Sequence, residues 1–463
     1  MKIEFLRKKY PKFIYQKYSF KVSKKDLEIS FNFKIKPNLN FKSKVVIKGI
    51  DGSQIEKLEK EVLNNLIFNL GLIEMLSYWK VTCSPKIEIK AGSLDQEQIK
   101  WWKDLIINGL GQFFYENKIN FKEPDFLKIS SKSAKTGSLA AFQEKLNGEI
   151  LVPIGGGKDS IVTLEILKRA KKNIRCFSLN PTDAAKRVIK IAGCKKIIIQ
   201  RKLDKRLFKL NQEDFLNGHT PFSAYLAFLS VLTAIIFGQK YIAFSNEKSS
   251  NEGNLKYLEK IINHQYSKSF DFEKKFRKYS KKYLAKNIEY FSFLRPLYEI
   301  QISRLFTKYL NYFSSFISCN EAFKTNSGRK KPLKKWCLRC SKCLFIFASL
   351  YPFLDKYRLY EIFEGNLFKK ISFLPTMLEL IGEEGFKPFE CIGTKKESQI
   401  AFYLSWRKNK TKKKPFLLKH FEKKILKKYP NLKKESKKIL TSWNSQNNLS
   451  KEFEKILKKT VKS

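Results

Sequence analysis

The sequence predicts an α/β fold with a central parallel sheet that is doubly wound, meaning that helices cover both of its faces. Two observations predict it. Apolar segments typical of buried strands alternate with helix-like segments from about residue 146 to residue 350, a pattern typical of parallel sheets with crossover helices. A glycine-rich turn also stands between the first of these strands and its helix, the position at which Rossmann-like sheets bind ligands.

The elements of this segment can be assigned in chain order. The first strand, at 149–154, and the segment at 222–237 are rich in large apolar residues, as expected for buried elements. The remaining elements are helices at 161–167 and about 182–192 and strands at 174–179, 196–200 and 241–245. Polar stretches follow three strands, at 155–160, 180–181 and 245–254. Because the carboxyl ends of parallel strands share one edge, we expect these stretches to lie side by side.

Three regions are predicted in all. They are an N-terminal α+β domain over residues 1–145, the domain described above over 146–350, and a helical C-terminal region over 351–463 with a lysine-rich tail. In the N-terminal region, alternation of apolar and polar residues predicts the strands, and an apolar period of about 3.6 residues predicts the helices. These are strands at 13–22, 27–35 and 44–48 and helices at about 54–78 and 94–116. Ser93 and Gln96 predict a capping box for the last of these helices.

The composition leaves the role of charge open. The net charge of +50 comes mainly from lysine spread along the chain, which fits either an AT-rich genome or a polyanionic partner. The N-terminal apolar run is too short for a signal sequence, and the segment at 222–237 is short for a membrane span. We therefore expect a cytoplasmic protein that does not insert into membranes, with its eight cysteines reduced. The sequence assigns no oligomeric state.

The glycine-rich turn has the properties of a phosphate site. Gly155, Gly156 and Gly157 allow the backbone to close around an anion, and the following helix directs its positive end at the same point. Backbone N–H groups from 156 to 158 would bind phosphate, and Lys158 would add a full charge. Asp159 is a candidate ligand for Mg²⁺. Ser160, the next residue along the chain, is a candidate helix cap or phosphate donor.

Two common phosphate loops do not match this turn. A Walker A loop requires glycine where Val152 stands and serine or threonine where Asp159 stands. A dinucleotide fingerprint requires glycine where Ser160 stands. The turn resembles instead the Ser-Gly-Gly-x-Asp-Ser loop (PP-loop) of the N-type ATP pyrophosphatases, with Gly155 in place of the first serine. That resemblance implies cleavage of ATP to AMP and pyrophosphate.

Polar residues also cluster in two other stretches, 217–223 and 263–269. His219 and His264 stand among hydrogen-bonding side chains and are candidates for proton transfer or for structural roles. Arg295 could bind a substrate carboxylate or phosphate, or form an ordinary salt bridge. The candidate substrate-binding residues, which could equally belong to solvated turns, are Asn217, Thr220, Asn246, Glu247, Asn251, Glu252 and Asn254.

Four cysteines have the spacing of a metal site. Cys337, Cys340 and Cys343 lie close together, with Cys319 upstream, and four thiolates can bind zinc tetrahedrally. An iron–sulfur cluster and free thiols are the alternatives. A similar zinc site follows the loop domain of the deazaguanine nitrile synthases of tRNA modification, another family with this loop, and this similarity favours a structural zinc ion.

Taken together, the motifs resemble one family, the UDP-N-acetyl-α-D-muramoyl-L-alanyl-L-glutamate epimerases. The stretches that carry the resemblance are 152–160, 217–224, 245–254, 263–269, the cysteine run at 336–343, and 387–391. The resemblance implies ATP- and Mg²⁺-dependent inversion of the terminal L-glutamate of UDP-MurNAc-L-Ala-L-Glu during peptidoglycan synthesis. It implies a small-molecule substrate and makes a nucleic-acid partner unnecessary.

The implied mechanism assigns roles to several residues. Adenylation of the α-carboxylate removes its charge, so a side-chain base can take the α-proton; return of a proton to the other face inverts the centre. His219, His264 and Cys391 are the candidate acid and base groups, and Lys158 is expected to stabilise the leaving pyrophosphate. The competing hypotheses are a tRNA-modifying enzyme that adenylates a base, and a nucleic-acid-binding protein with a degenerate loop.

Overall fold

A computed structural model describes residues 2–23, 25–132, 141–319, 321, 335–411 and 413–462. The strands are β1 (Lys12–Val22), β2 (Asp26–Lys36), β3 (Leu39–Lys48), β4 (Lys86–Ser93), β5 (Lys128–Lys132), β6 (Asn147–Pro153), β7 (Ile174–Leu179), β8 (Lys195–Lys202), β9 (Gln239–Phe244), β10 (Leu255–Tyr257), β11 (Lys260–Ile262) and β12 (Glu289–Ser292). The first ten helices are α1 (Lys2–Lys9), α2 (Gly52–Glu56), α3 (Lys60–Glu74), α4 (Leu76–Trp79), α5 (Gln96–Gly109), α6 (Gly111–Glu116), α7 (Lys158–Arg169), α8 (Asp183–Ala192), α9 (Lys205–Leu210) and α10 (Phe222–Phe237). The others are α11 (Phe270–Tyr283), α12 (Glu299–Phe306), α13 (Ser341–Leu350), α14 (Lys356–Phe363), α15 (Leu374–Ile381), α16 (Lys395–Lys408), α17 (Phe416–His420), α18 (Leu432–Thr441) and α19 (Lys451–Lys462).

Ten strands form one sheet, in the order β12-β9-β6-β7-β8-β3-β2-β1-β4-β5. The five strands from β12 to β8 are all parallel to one another. Numbered along the chain, these five have the spatial order 3-2-1-4-5, which places the change of direction between β6 and β9. In such sheets ligands bind in the crevice beyond the carboxyl ends of the strands at this point. The predicted α/β fold with a large, mostly parallel central sheet is confirmed.

Helices cover both faces of the parallel strands. Helices α7 and α8 contribute residues such as Ile161 and Val188 to one hydrophobic core, which also contains α12, α13 and α16. Helix α10 contributes Leu229 to the other core, together with α3 and α11. The segment predicted as a buried helix coincides with α10 residue for residue. Glycine at 238, with φ +77°, ends it in the left-handed conformation that glycine adopts readily.

The N-terminal strands extend the same sheet. Strand β3 pairs antiparallel with β8, so the meander of β1 to β3 covers the edge that β8 would otherwise expose. Along β2 residues alternate between buried and half-buried positions, as its sequence predicts. The sheet therefore crosses the boundary that the sequence suggested between residues 145 and 146.

Two elements next to α5 differ from expectation. Strand β4 was not predicted, although it precedes α5 directly. The predicted capping box of Ser93 and Gln96 is wrong, because Asp95 and Gln98 form it instead. The Asp95 carboxylate accepts a hydrogen bond from Gln98 N at 2.7 Å, and Gln98 Oε1 accepts one from Asp95 N at 3.1 Å. A β-strand up to Ser93 leaves two residues to turn the chain before the helix begins.

The C-terminal region is helical and packs against the parallel sheet. Its core is continuous with that of α7 and α8. Phe453, in the lysine-rich tail, is buried and lies 4.7 Å from Phe291 of β12, measured between ring centroids. Apolar anchors spaced along α19 thus fold the tail as a helix despite its charge. Among the described residues, no helix combines the length and apolar composition needed to span a bilayer.

Candidate active site

The glycine turn connects β6 to α7 at the carboxyl edge of the sheet. Gly157 precedes the first turn of α7, which begins at Lys158. Gly156 has φ +90°, and a Cβ atom there would lie 2.7 Å from Ala185 N. A Cβ on Gly155 would meet nothing within 4 Å. Only the second glycine is therefore required by backbone packing, and the first opens onto free space where a ligand could lie.

Three carboxylates gather beside this turn. Asp159, Glu247 and Glu299 each place an oxygen within 4.8 Å of the others. The side chain of Lys158 is fully buried between two of them, with Nζ 2.5 Å from Asp159 Oδ1 and 2.9 Å from Glu299 Oε1. Ser160 Oγ donates to the Gly157 carbonyl at 2.9 Å, so it stabilises the first turn of α7. The turn thus combines an open anion site with a dense cluster of negative charge.

This carboxylate group fits a divalent cation. Magnesium prefers oxygen ligands, and Glu299 Oε2 is buried with no hydrogen-bond partner among the described residues. Burial raises the pKa of Glu299 to about 8, with a further contribution from the charge of Asp159. Burial also raises the pKa of Glu247. Burial would lower the pKa of Lys158, but Asp159 and Glu299 outweigh it and raise the pKa overall.

A second cluster joins side chains from four separate segments. Cys391 Sγ lies 3.1 Å from Lys268 Nζ and 4.0 Å from His264 Nε2. His264 Nδ1 lies 2.5 Å from the side-chain oxygen of Gln112 in α6. The rings of His219 and His264 are 4.5 Å apart between centroids. The structure therefore brings together all three predicted acid and base candidates and adds a lysine and a glutamine to them.

The charges of this Cys–His cluster follow from its burial. Burial lowers the pKa of His264 to about 3, and the neighbouring Lys268 adds to the effect. The pKa of His219 is lowered by burial and then by His264, and its Nε2 has no hydrogen-bond partner among the described residues. Burial would raise the pKa of Cys391, yet Lys268 and Lys342 lower it overall. Both imidazoles are thus neutral at neutral pH, beside a thiol with a strengthened tendency to ionise.

Arg295 lies between the two clusters and forms a salt bridge with Glu273, the second of the two alternatives, although the pair is buried and not at the surface. Its guanidinium group is fully buried, and it donates to the carbonyls of Glu247 (at 2.7 Å) and Lys268. It also donates to the carboxylate of Glu273 at 3.1 Å and to Ser250 Oγ at 3.0 Å. With its nitrogens engaged by protein acceptors, Arg295 holds two site loops together, and its geometry does not favour direct contact with substrate.

The asparagines of the predicted substrate set mostly hold loops in place. Asn254 Nδ2 donates to the carbonyl of Pro388 at 2.8 Å, and its Oδ1 accepts from His264 N at 2.8 Å. Asn254 therefore connects the segments that carry His264 and Cys391. Asn246 is buried and donates to Ser292 Oγ at 3.0 Å.

The other predicted substrate residues lie around this arrangement. Glu252 accepts from Lys395 N at 2.9 Å and pairs with the buried Lys387 at 3.2 Å. Asn251 is exposed, and its Oδ1 accepts from the backbone N–H of residue 270 at 2.7 Å. Asn217 Oδ1 accepts from the N–H of the next residue at 2.8 Å. Thr220 is half-buried beside His219.

The four cysteines converge at the start of α13. Their sulfur atoms all lie within 4.8 Å of one another, with Cys337 and Cys343 3.7 Å apart and Cys340 and Cys343 3.6 Å apart. A tetrahedral zinc ion with Zn–S bonds of about 2.3 Å requires sulfur–sulfur distances of about 3.8 Å. The set, which includes Cys319, therefore fits zinc. Most of the chain between Cys319 and Lys335 lies outside the described residues.

Three members of the site were not predicted. Glu299 begins α12, and Lys268 belongs to a motif already singled out for His264. A charged residue inside that motif was the signal available for Lys268. Gln112 carries no local signal, because only the folding of α6 against the loop of His264 brings it into the site.

Comparison with known proteins gives matches over most of the chain. Residues 4–293 match the family model of the MurL N-terminal domain, and residues 315–436 match that of the MurL C-terminal domain. The chain is 35% identical over 332 residues to the UDP-N-acetyl-alpha-D-muramoyl-L-alanyl-L-glutamate epimerase of Xanthomonas oryzae pv. oryzae, covering 72% of each chain. It is 33% identical to the protein of the same name from a Micromonospora species, over 74% of this chain and 75% of the relative. It is 32% identical to that of Salinispora tropica, over 74% and 73%.

Proposed function

This chain belongs to the UDP-N-acetyl-α-D-muramoyl-L-alanyl-L-glutamate epimerase family, and we propose that it inverts the terminal L-glutamate of UDP-MurNAc-L-Ala-L-Glu. The observation that carries this proposal is that two groups of residues with different chemistry lie next to each other at one edge of the sheet. A turn suited to phosphate stands beside a cysteine and two histidines suited to proton transfer. Such an enzyme is an isomerase that supplies D-glutamate to peptidoglycan precursors.

ATP would activate the carboxylate before inversion. Removing an α-proton next to a carboxylate produces a dianion, which is very unfavourable. Transfer of AMP to the carboxylate oxygen releases pyrophosphate and removes this negative charge, so the activated carbonyl can accept the electrons of the broken C–H bond. The open face of Gly155 and the N-terminus of α7 support binding of the pyrophosphate there.

The carboxylates and Lys158 would control charge in this step. Asp159, Glu247 and Glu299 would hold Mg²⁺, which supplies charge neutralisation for the phosphates. Lys158 already pairs with two of these carboxylates. Its role is therefore to orient the carboxylates and to balance their charge next to the pyrophosphate.

Inversion requires proton removal from one face of the α-carbon and return to the other. His219, His264 and Cys391 are the groups of the site with suitable chemistry, and they lie in one contiguous cluster. The Cys391 thiol, whose pKa Lys268 and Lys342 lower, can exchange a proton at neutral pH, and the two neutral imidazoles can hydrogen-bond the reacting groups. Release of the adenylate by water would complete the cycle and yield AMP.

The test is incubation of the protein with ATP, Mg²⁺ and UDP-MurNAc-L-Ala-L-Glu. We expect AMP and pyrophosphate to form only with the dipeptide substrate, and D-glutamate to be detected by chiral chromatography after hydrolysis. Asp159→Ala should remove both products, while Glu435→Ala, which alters a carboxylate paired with Lys396, should not. AMP formation that requires tRNA would favour the base-adenylating alternative. Absence of both AMP and D-glutamate would contradict the proposal.

The cysteine group is proposed to bind one structural zinc ion. The sulfur separations support this assignment, and Trp336 packs beside the group between Phe316 and Phe363. We expect about one zinc ion per chain by elemental mass spectrometry, as four thiolates predict. Cys340→Ser should lose the metal and lower the melting temperature, whereas Cys194→Ser should keep the metal. We further propose a cytoplasmic location, because thiolate zinc sites and free thiols suit a reducing compartment.

A further inference from the structure

The contact between Lys268 and Cys391 has no part in the function as stated so far. We propose that Lys268 holds Cys391 as a thiolate, and that this thiolate removes the α-proton of the activated glutamate. This inference rests on the proposed function for its substrate. Lys268 is then a positioning residue that acts through sulfur, and Cys391 is the catalytic base.

The position of Lys268 is fixed at its backbone. Its carbonyl accepts hydrogen bonds from Ser250 Oγ, at 3.0 Å, and from Arg295. Its N–H donates to the carbonyl of Gln265 at 2.7 Å. From this fixed main chain the side chain reaches Cys391 Sγ at 3.1 Å, its one hydrogen-bond partner among the described residues.

The charge of Lys268 is available to sulfur. Within the described part of the chain, no carboxylate forms an ion pair with this lysine, whereas Lys158 pairs with both Asp159 and Glu299. The charges of Glu247 and Asp159 act on Lys268 only from a distance and, with Cys391, keep it protonated. An ammonium group next to a half-buried thiol favours the thiolate, because the positive charge stabilises the negative sulfur.

His264 is oriented to accept a hydrogen bond from the Cys391 thiol. Gln112 Nε2 donates to Glu116 Oε1 at 2.7 Å, which turns the Gln112 oxygen toward His264. An oxygen acceptor at Nδ1 requires the proton of the neutral ring on Nδ1. The unprotonated Nε2 then faces Cys391 Sγ at 4.0 Å. At this separation no substrate carbon fits between the two groups, so both lie on the same face of the substrate, and His264 can hydrogen-bond the thiol that forms when Cys391 takes the proton.

The step balances as follows. The α-proton moves from carbon to the sulfur of Cys391, and the electron pair of the broken C–H bond moves onto the carbonyl oxygen of the adenylated carboxyl group. The new thiol gives its proton to solvent, which restores the thiolate. A second proton drawn from solvent reaches the opposite face of the carbon.

The experiment measures the thiol directly, without nucleotide or substrate. Purified protein is treated with iodoacetamide over a range of pH, and alkylation of the Cys391 peptide is followed by mass spectrometry. We expect half-maximal reactivity of Cys391 below the value of about 8.5 typical of a free cysteine. In Lys268→Met the rate at pH 7 should fall at least about tenfold, since one pKa unit changes the thiolate fraction tenfold. Lys268→Arg should restore most of it.

Two controls isolate the effect. Cys194, a half-buried thiol whose pKa a hydrogen bond from Cys176 lowers to about 7, should react at the same rate in all variants. Lys342 and Asp159 also act on Cys391 from other elements, so Lys342→Met should have a smaller effect than Lys268→Met.

Folding is checked by circular dichroism. If Lys268→Met does not fold, the wild-type profile decides, because half-maximal reactivity at or above about 8.5 would overturn the proposal.

Unchanged reactivity of Cys391 in folded Lys268→Met would also overturn it. A low thiol pKa together with no AMP or D-glutamate would leave the thiolate in place and refute the epimerase function instead. With an active enzyme, deuterium from D₂O should enter the α-position of glutamate, and this exchange should fall with the alkylation rate in Lys268→Met. Exchange that persists at the wild-type rate would exclude Cys391 as the base.

Discussion

Two lysines lie in this site, Lys158 buried and Lys268 half-buried, and they differ in the kind of partner that they contact. Lys158, next to the glycine turn, pairs with two carboxylates at 2.5 and 2.9 Å. Lys268 meets a thiol at 3.1 Å. The carboxylate partners fix the first lysine in a permanent ion network, whereas the thiol partner can gain and lose a proton. One lysine therefore organises charge around a phosphate site, and the other controls the protonation of a reactive group.

The comparison indicates a division of the reaction between two adjoining regions. Under the proposed function, the turn and its carboxylates would provide activation, and the Cys–His cluster would provide proton transfer. Arg295 joins them by donating to the carbonyls of Glu247 and Lys268, one from each region. If this division is correct, substitutions in one region should stop one half-reaction and leave the other intact.

The largest expected effect comes from Cys391→Ser. A serine hydroxyl is a far weaker acid than a thiol, so formation of D-glutamate should fall about 10²–10⁴-fold, the usual contribution of a general base. Substrate-dependent AMP release should continue, because the glycine turn is unaltered. Both products are measured in the same reaction. Equal loss of AMP and D-glutamate would break the proposed division.

Gly156→Ala should affect the other region. Alanine at φ +90° is strained, and its Cβ would clash with Ala185 N at 2.7 Å. We expect AMP formation to fall about 10²-fold or more, as when an aligned anion-binding donor is lost. Gly148→Ala, in β6 outside the turn, is the matched control, since its Cβ would meet nothing within 4 Å. Alkylation of Cys391 should be unchanged in both variants, and a change in Gly156→Ala would show that the regions are coupled.

A smaller effect is expected from Glu299→Gln. Loss of one carboxylate should raise the Mg²⁺ concentration needed for half-maximal AMP formation by about 10–100-fold, in line with the loss of a residue that supports a metal site. The rate at saturating Mg²⁺ should be altered less. Titration with Mg²⁺ measures both quantities, and Glu435→Gln provides the control. An unchanged Mg²⁺ requirement would exclude Glu299 from the cation site.

The smallest effect is a change in the pH dependence of stability. The folded pKa of His264 is lowered to about 3 by burial, below the unfolded value of about 6.5. Between these values the unfolded chain binds an extra proton, so stability falls as the pH falls through this window. His264→Gln should reduce the slope by at most about 1.4 kcal/mol per pH unit. Denaturant unfolding measures it, with His420→Gln as control; an unaltered slope would contradict a buried neutral His264.

The sequence alone predicted much of the parallel core. Strand β7 and helix α10 lie at the predicted residues, because each has an apolar run bounded by turn residues. Strand β12 was missed because its four residues are too few to show a periodicity of their own. Strand β4 was missed although Ile87 and Ile89 alternate with more exposed residues in its first half. Continuity of the sheet through β3 and β8 was also beyond local patterns, because it depends on a pairing across 150 residues of chain.

For the candidate site, too, the sequence predicted only the features that lie within one short motif. The sequence by itself determined the glycine turn, the cysteine spacing and the identity of three proton-transfer candidates, because each stands in a contiguous motif with a recognisable composition. Tertiary structure alone decided that Glu299 completes the carboxylate group, that Arg295 is buried between two loops, and that Lys268 contacts Cys391. These contacts join residues 22 to 140 positions apart. Their energies depend on burial and distance, which no single stretch of sequence encodes.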